Sequence, residues 1–136
     1  MRLSRAYIPA GIWTAFIASS CLLPASAFNE FSFDSIFELD KLIHLTLYFV
    51  LIILWSLAIG KQSLENKKKL SLLLYVVLFG VIIEVLQSSM SLGRHYDIED
   101  IIANTIGSII GVLLIPFVHN KKPLIKKYLP FIDKLY

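Results

Sequence analysis

At 136 residues, with 57% hydrophobic side chains and a mean hydropathy of +0.72, the chain is far more apolar than an ordinary soluble domain, whose apolar content is roughly 45–50%. A soluble fold is excluded, and the length leaves room for a handful of membrane spans of about 20 residues each, with no separate soluble domain. The net charge of +3 does not indicate nucleic acid, because the basic residues fall in short blocks between apolar runs rather than along one helix face with stacking aromatics.

The first apolar run, Ala6 to Leu23, follows Arg2 and Arg5. With the triplet Ala25-Ser26-Ala27 it also has the outline of a cleavable secretory signal, but the stretch extends past a typical signal core and is read as a retained span. Cys21 lies inside this run, lacks a leucine three residues before it, and as the single cysteine cannot form an intrachain disulfide. A segment carrying Glu30, Asp34, Glu38 and Asp40 leads into the second run, Leu42 to Ile59. Lys61, Lys67, Lys68 and Lys69 precede the third, Leu70 to Leu86, and Ser88 to Asp100 precede the fourth, Ile101 to Val118. Beyond it comes a basic, partly apolar tail over 121–136, broken by Pro123 and Pro130 and read as an interfacial segment on anionic lipid.

The expected fold is therefore all-α, an integral membrane bundle of four transmembrane helices over residues 1–120. Of the thirteen Lys and Arg residues, only Lys41 and Arg94 fall in the connections after the first and third runs. The positive-inside rule then places both termini in the cytoplasm. Seven of the ten acidic residues lie on the opposite, outer side, although acids contribute little to orientation, so their clustering calls for another explanation.

Glu84 is the sharpest functional signal, an ionisable group within an otherwise uncharged run. A charge at a helix centre costs roughly 2.5–3.5 kcal/mol on insertion scales and marks a site by default, facing the bundle interior with a partner. The outer cations within reach are Lys41 and Arg94. Lys41, His44 and Tyr48, at i, i+3 and i+7, share a stripe of helix two, and Glu84 and Gln87 occupy the end of helix three. Asp97, Asp100 and Asn104 share a face at the start of helix four. Three helices thus aim polar stripes at one depth, outlining a ligand pocket of Asp40, Lys41, His44, Tyr48, Glu84, Gln87, Arg94, Asp97, Asp100 and Asn104.

Structural roles compete with this reading. Asp40 and Asp97 suit helix N-caps, Glu99 and Asp100 complement the helix dipole, and His44 and Tyr48 can satisfy one another. The cations and free helix N–H groups suit an anion. Alternatively, His44, Glu84, Asp97, Asp100 and Asn104 offer oxygen and nitrogen ligands to a divalent ion, although no tight metal motif and no cofactor motif is present. Ala103, Gly107 and Gly111, at four-residue intervals, form a small-residue ridge that packs helix four into the bundle and turns Asn104 toward Glu84. Leucine on that ridge would overpack, while serine should be mild.

The string Asp40-Lys41-x-x-His44-x-x-x-Tyr48, then Glu84-x-x-Gln87, then Arg94-x-x-Asp97-x-x-Asp100-x-x-x-Asn104-x-x-Gly107 resembles the VanZ-like family of small bacterial membrane proteins. The match covers 40–111; Tyr96 stands where the family often has Phe before the first aspartate of its last motif. The resemblance implies a multi-pass protein of the bacterial inner membrane, related to a founding member associated with resistance to the glycopeptide teicoplanin. Three functions fit. One is an envelope factor whose outer pocket binds an anionic lipid, a cell-wall precursor or a glycopeptide. Another is a membrane-embedded enzyme on a lipid-linked or peptidoglycan substrate, with Glu84 or His44 as acid or base. The third is a small proton-coupled transporter component, which at four spans would need to form a homo-oligomer.

Overall fold

A computed structural model of the chain describes residues 5–22, 37–60, 64–90 and 97–128, with side chains at all of these except 37–39, 122 and 124–128. Among the described residues there are four α-helices and no strand: α1 (Tyr7–Cys21), α2 (Phe37–Ile59), α3 (Asn66–Ser89) and α4 (Ile98–Tyr128). Three stretches are long and apolar enough to cross a membrane, Asp40–Ile59, Asn66–Ser89 and Ile98–Lys121. The expected fourth span, α1, has 15 residues. At about 1.5 Å per residue that is roughly 22 Å, short of a hydrocarbon core of about 30 Å.

Helix ends depart from the sequence expectations. α2 begins at Phe37, so Asp40 stands inside the helix and is not its N-cap, and Lys41 is a full turn from the end where the dipole would oppose it. α3 runs to Ser89, so Glu84 lies more than one turn from the C-terminus. α4 continues through Pro116 and Pro123 to Tyr128. Each proline removes one i to i−4 hydrogen bond, and the apolar and packed residues on either side of Pro116 carry the helix past the first of them. The part of the tail beyond Tyr128 lies outside the described residues, as does the segment holding Arg94.

The helices run up and down with the end of α1, the start of α2, the end of α3 and the start of α4 at one end of the bundle, as the Gln87–Cys21, Lys41–Asp97 and Asp97–Glu84 contacts require. α2 and α4 form the most extensive contact, and glycine permits it. A Cβ at Gly107 would overlap the Leu45 carbonyl and lie 3.0 Å from its Cα; one at Gly111 would run into the Ile52 side chain and reach the Phe49 carbonyl at 3.2 Å. The small-residue ridge therefore faces α2, and Ala103 is buried with it. The clash at Gly107 is with backbone, so the expected tolerance of serine fails there: any β-carbon meets an atom that cannot rotate away.

Ile17, Cys21, Tyr48, Leu51, Ile52, Leu72, Val76, Ile83 and Ile115 form the core. Polar ties join α1 to it: the Trp13 indole donates to the Leu47 carbonyl at 3.0 Å, and the Trp55 indole donates to Thr14 Oγ1 at 3.1 Å. Outward, Ile12, Leu74, Tyr75, Leu78, Ile102, Leu113 and Phe117 are exposed. Such a ring of large apolar side chains is costly in water and appropriate to lipid.

Candidate functional site

The polar stripes of α2, α3 and α4 meet at the end of the bundle where α2 and α4 begin. Lys41 is the hub. Its ammonium donates to Asp97 Oδ2 and to Asp100 Oδ1, and lies 3.9 Å from Asp40 Oδ2. Asp97 divides its oxygens: Oδ2 takes Lys41, while Oδ1 accepts the Glu99 backbone N–H at 2.8 Å and so caps α4. The capping role expected for Asp97 is thus present, together with an ion pair to Lys41 that the sequence did not indicate. The Lys41 ammonium holds the Asp97 carboxyl below its ordinary range, assisted by the Glu99 N–H.

His44 is buried beside this hub. Its Nδ1 meets Asn104 Oδ1 at 3.2 Å, and its Nε2 faces Asp40 Oδ1 and Asp100 Oδ2, each at 3.9 Å. Asn104 therefore turns to α2 and His44, not toward Glu84. Glu84 is 2% exposed, and its Oε1 accepts the Asp97 backbone N–H at 3.1 Å. This amide precedes α4 and cannot be read from residue types, which is why the search for a cationic partner missed it. The same contact pulls the α3 end against the α4 start.

Gln87 and Tyr48 sit differently from the rest. The Gln87 amide donates to the Cys21 carbonyl at 2.6 Å and ties α3 to α1. Tyr48 is fully buried, with its ring against Phe79 and at 3.1 Å from a Cβ placed on Gly80. Its hydroxyl has no hydrogen-bond partner among the described residues. Of the proposed metal ligands, His44 and Asp100 come together with Asp40, their donor atoms all within 4.8 Å. Glu84 and Asp97 are engaged with an amide and with Lys41 instead.

Polar residues on one stripe of each of three helices, closing on a lysine at one end of an apolar bundle, match the order of motifs in the sequence. A family model described as VanZ/LLP1 matches residues 6–119. The chain belongs to the VanZ/LLP1 family. Within this VanZ/LLP1 member the match covers all four helices apart from the end of α4, so α1 belongs to the family domain along with the motif-bearing part over 40–111. No curated protein and no solved structure matches the chain.

A second polar pair lies toward the opposite end of α2 and α4, where Ser56 Oγ meets His119 Nε2 at 3.4 Å and both residues are buried. Sequence reasoning passed over it. The signal was there, a serine and a histidine on the inward faces of two spans, each expensive in lipid without a partner.

Proposed function

We propose that this multi-pass VanZ/LLP1 protein is a bacterial cell-envelope factor with both termini in the cytoplasm. In this reading the Lys41 cluster faces outward and binds an anionic lipid, a cell-wall precursor or a glycopeptide of the teicoplanin type. The observation that supports it most is the burial of Glu84, His44, Asp100 and Asn104 at one helix-bundle end. Burying charges there is expensive, and apolar residues of similar volume would often hold a bundle at least as well. A structural role alone does not account for so many. Lys41 already carries Asp97 and Asp100, so an added anion would meet those carboxylates, and the sugar or peptide portion of a wall precursor or glycopeptide suits the cluster better than a bare phosphate.

Survival of a susceptible host on teicoplanin, with and without the chain, tests this. Expression of the native chain should raise survival, and Glu84→Gln should remove the gain at unchanged membrane abundance. No gain from the native chain would separate it from glycopeptide resistance, and full activity of Glu84→Gln would detach function from this cluster. Native mass spectrometry of gently extracted protein identifies the bound envelope molecule.

A further inference from the structure

We propose that Asp40, His44 and Asp100 form a binding site for one divalent transition-metal ion, of the zinc or manganese class. Asp40 and His44 stand at i and i+4, one above the other on α2, and Asp100 faces them from the first turn of α4. Asp40 Oδ1, His44 Nε2 and Asp100 Oδ2 all lie within 4.8 Å of one another. The two His44 Nε2 to carboxylate distances are 3.9 Å, too long for hydrogen bonds. Donors bound to a common ion at about 2.0–2.2 Å are at most about 4.4 Å apart, so an ion fits between the imidazole and each oxygen. The Asp40 side chain, 54% exposed, is free to close the third side.

The arrangement around His44 is the independent indication. The imidazole side chain is 6% exposed. With Asn104 Oδ1 on Nδ1, the hydrogen of the neutral ring is held on Nδ1 and the lone pair of Nε2 is aimed at two carboxylate oxygens. Lone pairs facing one another repel, most strongly between the buried His44 and Asp100, and a cation between them removes the repulsion. Fixing one imidazole nitrogen by a hydrogen bond so that the other is presented to a metal is the usual outer-shell device at histidine ligands. Charge agrees. Among the described residues, three carboxylates, Asp40, Asp97 and Asp100, lie within 4.0 Å of the Lys41 ammonium, more negative charge than that one cation offsets. Lys41 occupies Asp100 Oδ1 and Asp97 Oδ2, which leaves Asp100 Oδ2 and Asp40 Oδ1 for the ion. One nitrogen and two carboxylate oxygens suit zinc or manganese better than calcium or magnesium, which take oxygen ligands. Three protein ligands leave coordination positions open to water or to an oxygen of a bound molecule. The site does not depend on which envelope ligand the cluster takes.

The test uses the full chain, free of any histidine tag, stripped with a chelator in detergent and titrated with zinc or manganese chloride, with metal content measured after gel filtration. One ion per chain is expected. His44→Gln and Asp100→Asn should each weaken binding at least tenfold, Asn104→Ala about 10–100-fold through the orientation of His44, and His119→Gln, toward the other end of the bundle, should leave it unchanged. Cobalt substituted for zinc should give a visible absorption band that Asn104→Ala shifts. Where His44→Gln does not fold, the exposed Asp40→Asn carries the same test. Failure of the native chain to take up one ion, or uptake that survives His44→Gln and Asp40→Asn, would overturn the site.

Discussion

At the scale of single residues, the cluster is ordered by how each carboxylate divides its two oxygens. Asp97 is the clearest case, one oxygen on Lys41 and the other on the first turn of α4. Its pKa is lowered in the folded protein, chiefly by Lys41. A group with a depressed folded pKa contributes stability that is fully present above its unfolded value, near 3.9, and is lost as pH falls through the folded value. Thermal stability in detergent should therefore decline as pH drops below about 4, and Asp97→Asn should flatten that part of the profile while lowering stability at neutral pH. Melting midpoints across the acid range check this, and an unaltered profile in Asp97→Asn would assign the decline elsewhere. Glu84 makes a different prediction. Its Oε1 holds the Asp97 amide, and glutamine retains a carbonyl oxygen for it. Glu84→Gln should fold at normal abundance, whereas Glu84→Leu strands a part-buried N–H at a cost of about 1–3 kcal/mol. Equal melting points for the two variants would show that the amide contact contributes nothing.

At the scale of elements, the decisive contact is α2 against α4. Gly107 permits it because the Leu45 backbone passes where a β-carbon would stand. Gly107→Ala should already destabilise the bundle, and Gly107→Leu should cost at least the 1–3 kcal/mol typical of overpacking. Gly11, with nothing within 4 Å of its Cβ position, should accept alanine without loss. Thermal aggregation of the three variants in the same detergent tests the contrast, and a tolerated Gly107→Leu would mean that the helices separate easily. The link from α1 to α2 is weaker and more local. Trp13→Phe keeps an aromatic ring but loses the pyrrole half with its N–H and so the bond to the Leu47 carbonyl, for an expected loss of at least about 0.5–1.5 kcal/mol.

At the scale of the whole molecule, the up-and-down order and the basic connections predict orientation. With Cys21 replaced by alanine, cysteines introduced at Glu65 and Lys127 should be shielded from an impermeant thiol reagent in intact cells, while Asn29 and Ser91 should be labelled. Labelling at Glu65 in sealed cells would overturn the proposed orientation with both termini in the cytoplasm. α1 has 15 residues, fewer than the three long apolar helices, and its crossing determines on which side the N-terminus lies.

Much of this was legible in the residues themselves. The all-α class, the three long apolar helices and the family follow from runs of apolar side chains and from motif spacing, since in lipid a chain must satisfy its backbone within each helix. The convergence of Lys41, His44, Asp97, Asp100 and Asn104 was likewise readable, because i, i+3 and i+4 spacings put side chains on one face whatever the partner is. The pairings within that convergence were not. That Lys41 takes Asp97 and Asp100, that Asn104 turns to His44, and that Glu84 is satisfied by a backbone amide depend on the rotation and separation of neighbouring helices. Those are set by packing at Gly107 and Gly111 and by where each helix starts. Periodicity specifies a face; only the docked bundle decides which atom on the neighbouring helix meets it.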